Sequence, residues 1–111
     1  MNEQYRDICE RLGWRVMDDG DGNIELEKYS PAGEDFIVTV GAENFVENVK
    51  EYAAHFDQEE HIEMWVEARR SGTQGVPSIK ELVKDAEDID AMLKELAEAL
   101  FAAELEAEGV Q

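Results

Sequence analysis

Between residues 13 and 41 the chain reads GWRVMDDGDGNIELEKYSPAGEDFIVTVG, and this stretch decides the fold. Trp14 and Val16 alternate with Arg15 and Met17. Ile24, Leu26 and Lys28 alternate with Glu25, Glu27 and Tyr29, and Phe36, Val38 and Val40 alternate with Ile37 and Thr39. A period of two places successive side chains on opposite faces of an extended chain, so each run predicts a strand with one apolar side. Asp18-Asp19-Gly20-Asp21-Gly22-Asn23 separates the first two runs, and Ser30-Pro31-Ala32-Gly33-Glu34 separates the next two. Both are rich in residues that accept turn conformations. Connections this short join antiparallel neighbours and predict a three-stranded meander. Such a sheet cannot bury its apolar face alone and needs helices laid across it.

The flanking segments have the period those helices require. Residues 2–12 place Tyr5, Ile8, Cys9 and Leu12 on one helical side, with Gly13 as a stop. Ala42 to Phe56 carries Phe45, Val49, Tyr52 and Phe56 at helical spacing, supported by Val46 and Ala53. Asp57 with Glu60 three residues on marks the start of another helix, in which Ile62, Trp65, Val66 and Arg69 share a side. Arg69 and Arg70 fall where a helix C-terminus favours cations. After Gly72-Thr73-Gln74-Gly75-Val76-Pro77, the quartet Ser78-Ile79-Lys80-Glu81 has the form of a capping box. Ile79, Leu82, Val83, Ala86, Ile89, Leu93, Leu96, Ala97 and Leu100 then hold helical spacing through residues 78–106, with a stop at Gly109; Asp85, Asp88 and Asp90 are poor interior helix formers, so the spacing leaves open a break near Asp88–Asp90. The expectation is one α+β domain over residues 1–111. It comprises an N-terminal helix, a three-stranded antiparallel meander and two or three helices ending in a long one.

Charge is the most informative global property. Twenty-eight acidic residues face ten basic ones, a formal net charge of −18. Small soluble domains need a magnitude of only about 2–8. The surplus repels phosphate and anionic lipid and attracts basic surfaces. It is concentrated on the predicted helices: residues 41–67 hold eight acids and one base, Lys50. Arg69, Arg70 and Lys80 form a basic joint before the last helix. The order helix, three strands, helix is also that of double-stranded RNA-binding domains. Here no motif residue is shared, and Glu43, Glu47 and Glu51 on the second helix oppose direct contact with nucleic acid.

Cys9 is the single cysteine, so no internal disulfide can form, and the reading is a core thiol in a reducing, cytoplasmic protein. Met1-Asn2-Glu3-Gln4 does not have the basic-then-apolar form of a signal segment, and no apolar run is long enough to cross a bilayer. The turn at Asp19–Asn23 spaces oxygen side chains as an EF-hand loop opens. Ile24 stands where that loop needs Gly, and Ser30 where it needs Glu, so an ordinary hairpin turn is expected. His55 and His61, the two histidines, have no metal-ligand spacing, and His61 reads as a surface group beside Glu60 and Glu63. Gly20-x-Gly22 is not followed by a helix, and no nucleophile elbow or Cys–His dyad is present. No enzyme, cofactor or metal is therefore expected.

The acidic helix faces carry the functional expectation. Glu43, Glu47 and Glu51 stand four apart, and Glu59, Glu63 and Glu67 repeat that spacing. The last helix adds Glu81, Asp85 and Asp88, then Glu95 and Glu98. Like charges at this spacing destabilise a helix by a few tenths of a kcal/mol per pair. The six glutamates are the expected partner surface of a non-enzymatic, acidic protein-binding domain. Its sharpest form is a DNA mimic that inhibits a restriction or CRISPR nuclease. The alternative is a small accessory protein that dimerises or docks through its long C-terminal helix, with charge serving solubility only.

Overall fold

The computed structural model describes residues 2–30, 35–70 and 79–109. The elements run α1 (Glu3–Arg11), β1 (Arg15–Asp18), β2 (Asn23–Tyr29), β3 (Asp35–Gly41), α2 (Phe45–His55), α3 (Gln58–Arg70) and α4 (Ile79–Ala107). The expected α+β meander is observed. The strands lie in the order β1-β2-β3, both pairs antiparallel, with Val16 opposite Leu26 and Leu26 opposite Val38. One face carries Ile24, Leu26, Val38 and Val40, all buried, and the other carries Arg15, Glu27, exposed Ile37 and exposed Tyr29. The predicted alternation therefore sets both register and face. The Pro31–Glu34 turn and the Ser78 cap fall outside the described residues, as do the side chains of Trp65, Arg69, Arg70 and Ile79.

Two turns depend on residues that reach left-handed backbone. Gly13, at φ +93°, ends α1: its N–H donates to Glu10 O (3.0 Å) and the Trp14 N–H to Cys9 O (2.9 Å), a Schellman closure. The chain then drops Trp14 into the core at 2% exposure. A Cβ at residue 13 would meet Lys28 Cε at 3.4 Å. The Lys28 stem lies there so that Nζ can donate to Leu12 O (2.6 Å) and sit 5.8 Å from the Trp14 ring centre.

The second turn corrects the expected start of α2 from Ala42 to Phe45. Asn44 takes φ +58°, which residues other than Gly and Asn or Asp seldom adopt, and this reverses the chain before the helix begins. The Asn48 side-chain amide donates to Gly41 O (3.0 Å) and Glu43 O (2.8 Å) and holds the reversal in place. The buried stripe of α2 is accordingly Phe45, Val46, Val49 and Ala53, while Tyr52 stays partly exposed.

α4 is one unbroken helix of 29 residues. The break that the sequence left open near Asp88–Asp90 is absent. Asp88 pairs with Lys84 (3.4 Å) and Asp90 with Lys94 (2.8 Å), each one turn away, so these aspartates are held by neighbours on their own helix. α4 packs against α1, α2 and α3, while α1 also touches β1 and α2 touches β3. Ile89, Leu93, Leu96 and Leu100 join the strand residues in one apolar cluster with Ile8, Cys9 and Trp14.

Cys9 sits in that cluster with no exposed surface, and burial pushes its thiol from an ordinary 9.0 up to about 11. A folded pKa above the unfolded one gives stability that is complete below the unfolded value and lost as pH rises toward the folded value. The loss expected between pH 9.0 and about 11 amounts to about 2–3 kcal/mol. Urea unfolding of the natural chain and of Cys9→Ala across that range should show the extra decline only in the former. In the native protein at pH 8 the thiol should resist a disulfide reagent and react fully once urea unfolds the chain. Rapid native labelling would contradict the burial.

Candidate functional site

The six glutamates identified from spacing are all exposed. The structure does not keep them as two equal rows. Glu47 and Glu51 lie one turn apart on α2, but Glu43 precedes the left-handed Asn44 and stands off the helix. Glu59, Glu63 and Glu67 keep their four-residue spacing along α3. Lys50 Nζ approaches Glu47 at 3.7 Å, a loose exposed pair. On α4, Glu81, Glu95 and Glu98 are exposed, but Asp85 is not part of that ridge: it is 1% exposed, between buried Leu82 and Ala86.

Asp85 faces His61 of α3. His61 Nε2 lies 3.5 Å from Asp85 Oδ2, and among the described residues neither that nitrogen nor either carboxylate oxygen has a hydrogen-bond partner. His61 is therefore not the surface group its sequence neighbours implied, since its side chain is only 13% exposed. The contact is longer than a hydrogen bond and becomes an ion pair only when the imidazole carries its second proton. A carboxylate out of water with no donor is costly, so the arrangement is a point of electrostatic stress between α3 and α4.

The other side of His61 borders a groove of about 370 Å³ at the corner between α2 and α3, beside the start of β3. Phe36 is its hub: Phe56 meets it edge-on at 5.9 Å and 88°, Tyr52 at 6.5 Å and 67°, and His61 at 6.4 Å and 72°. Phe56 and His61 are 5.8 Å apart. Met64 and Ile37 add exposed apolar surface, and Asp57 and Glu60 supply carboxylates. Asp57 Oδ1 caps α3 by accepting the Glu60 N–H at 3.1 Å, which realises the predicted start signal and fixes both groups at the rim. Burial pushes the Tyr52 phenol up, so it stays a neutral ring with a polar tip.

Paired carboxylates occur elsewhere. On the open face of the sheet Glu27 hydrogen-bonds Asp35, which raises its pKa, while Arg15 Nη1 approaches Glu27 Oε1 at 2.6 Å. The trio shares the open face of the sheet with Ile37, which lines the groove, but none of the three is among the groove's described lining residues. In the hairpin turn, Asp19 Oδ1 accepts from Asp21 N (2.7 Å) and Asn23 N (3.2 Å), and these bonds lower its pKa. The oxygens that spacing compared with a calcium loop thus serve the turn's own backbone. Among the described residues no three His, Cys, Asp or Glu side chains are grouped to hold a metal ion, and no helix is long and apolar enough to cross a membrane.

Spacing could not reveal the groove, because Phe36, Tyr52, Phe56 and His61 come from three elements. One signal did point to the buried carboxylate: Asp85 falls on the stripe of Leu82, Ala86 and Ile89. No protein-family model, curated protein or solved structure matches the chain.

Removing the His61 imidazole leaves the buried Asp85 carboxylate without its one described ion-pair partner. His61→Ala is expected to lower stability by about 3 kcal/mol, whereas His61→Leu with Asp85→Leu should be within about 1 kcal/mol of the natural chain or above it. Urea midpoints at pH 7 measure both. An unchanged midpoint in His61→Ala would show that the contact carries no weight.

Proposed function

We propose that the chain is a non-enzymatic protein-binding domain that docks its acidic α2–α3 side on a basic surface of a nucleic-acid-handling protein. The observation that carries the reading is the set of exposed glutamates, Glu43, Glu47, Glu51, Glu59, Glu63 and Glu67, in a 27-residue stretch whose one base is Lys50. Carboxylates four residues apart on a helix rise by about 6 Å. A duplex carries one phosphate per about 3.4 Å of each strand. A row at that spacing has a little over half the charge density of a strand. This arithmetic supports the sharpest form of the reading, a mimic that occupies the phosphate channel of a restriction or CRISPR nuclease in place of DNA.

A second reading gives the work to packed helices, with dimerisation through α4. Exposed Val83 and Phe101 on α4 favour it. They stand 18 residues apart, about 27 Å along the helix, and Lys50 Nζ already covers the Phe101 ring at 3.9 Å. The rest of the stripe, Leu82 through Ala103, is covered inside the chain. The acidic reading is therefore placed first.

The test is affinity capture at low and high salt with identification of the bound proteins, followed by competition with duplex DNA. The expected result is a DNA- or RNA-binding protein that is retained at about 0.05 M salt, released at about 0.5 M and displaced by duplex. Reversal of all six glutamates to Lys should abolish capture while leaving the helical circular dichroism unchanged. Capture that survives the six reversals overturns the assignment. Salt-insensitive self-association would favour the second reading.

A further inference from the structure

We infer that the groove at the α2–α3 corner is the anchor of this docking surface, and that it takes an arginine side chain from a basic segment of the partner protein. The inference rests on the acidic-surface reading and adds to it a specific seat and a specific residue. Four features of the groove converge on that ligand. Its walls are aromatic, with Phe36 at the centre and Tyr52, Phe56 and His61 turned around it at 5.9–6.5 Å. Rings offer their faces to a cation, and a planar guanidinium stacks on them better than an ammonium does. The rim carries the carboxylates of Asp57, which caps α3, and of Glu60 in its first turn. A guanidinium accepts such acids through its fork of donors.

The third feature is space and surface. About 370 Å³ is open to solvent beside Met64 and Ile37, which are 66% and 45% exposed, so the apolar stem of an arginine has contacts as well as its head. The fourth is independent of the rim. Against His61 lies the Asp85 carboxylate, 3.5 Å from Nε2, 1% exposed and without a hydrogen bond among the described residues, so one wall of the groove rests on a buried acid that the fold leaves without a donor. Among the described residues no arginine or lysine lines the groove, so an incoming cation is the group that complements its two rim carboxylates.

The test compares variants matched in charge. Asp57→Asn with Glu60→Gln removes two charges from the rim, and Asn still caps the helix. Glu47→Gln with Glu51→Gln removes two charges from the neighbouring α2 row. Tyr52→Ala removes a ring, and its fold is checked by thermal melting. Each is titrated with nona-arginine and nona-lysine while backbone amide resonances are followed. The rim pair and Tyr52→Ala should each weaken nona-arginine binding about tenfold, the α2 pair less than about twofold, and nona-lysine should bind several-fold more weakly than nona-arginine. Shifts should centre on Phe36, Ile37 and residues 52–64. If the two charge-matched pairs weaken binding equally, or nona-lysine binds as tightly, the groove assignment falls while the acidic-surface reading stands. If neither peptide binds the natural chain at low salt, both fall.

Discussion

The structure depends on one mismatch of length. α4 has 29 residues and is about 43 Å long, whereas a seven-residue strand spans about 23 Å. The sheet can therefore cover only part of the helix. The shared apolar core uses α4 from Ile89 to Ala103, about 21 Å, which matches the strands. Toward its N-terminus α4 runs on past the sheet, and Leu82 and Ala86 are buried there without joining that core. α3 packs against α4, and the molecule becomes elongated, 51 × 30 × 21 Å.

Both unusual features of the molecule follow from that overhang. α3 turns away from α2 at Phe56 and Asp57, where the chain leaves the helix conformation and Asp57 caps the next one. The corner cannot close, because it must carry the chain off the sheet and onto the projecting end of α4. It leaves Phe36, Tyr52 and Phe56 meeting edge-on around open space. The same path brings His61 opposite Asp85, the one carboxylate that α4 buries on its stripe. An apolar residue at 85 would pack there without the desolvation cost that an acid carries.

Periodicity made the meander legible because one apolar face forces the register: a slip of one residue would expose Ile24, Leu26, Val38 and Val40 together. Gly13 and Gly109 ended their helices as composition implied, both at positive φ. Three things were not legible. Asn44 starts α2 late because a left-handed Asn is invisible to a hydrophobic pattern. Asp88 and Asp90 do not break α4, because low intrinsic propensity is offset by pairs with Lys84 and Lys94 and by burial of the helix's other side. The groove and the His61–Asp85 contact join residues up to 28 positions apart, and only tertiary structure can bring them together. The acidic residues were plain in the sequence. Their exposure was a fair inference for the six glutamates and a mistaken one for Asp85.

The remaining step concerns how the acids are balanced. The described ion pairs use Arg15 on Glu27, Lys50 on Glu47, Lys84 on Asp88 and Lys94 on Asp90, and Lys28 is drawn inward to the Leu12 carbonyl. Those five of the ten bases are thus already engaged in holding strands and helices together. Twenty-eight acids cannot all be neutralised from within by ten bases, and mutual repulsion lowers the stability of the compact state. A basic partner would relieve that repulsion wherever it touched. At the α2–α3 corner it would also find rings to stack on beside the Asp57 and Glu60 carboxylates, which long-range attraction alone does not provide. On the proposed reading, charge would bring a cationic surface to this side of the molecule, and the corner would give one of its side chains a definite seat.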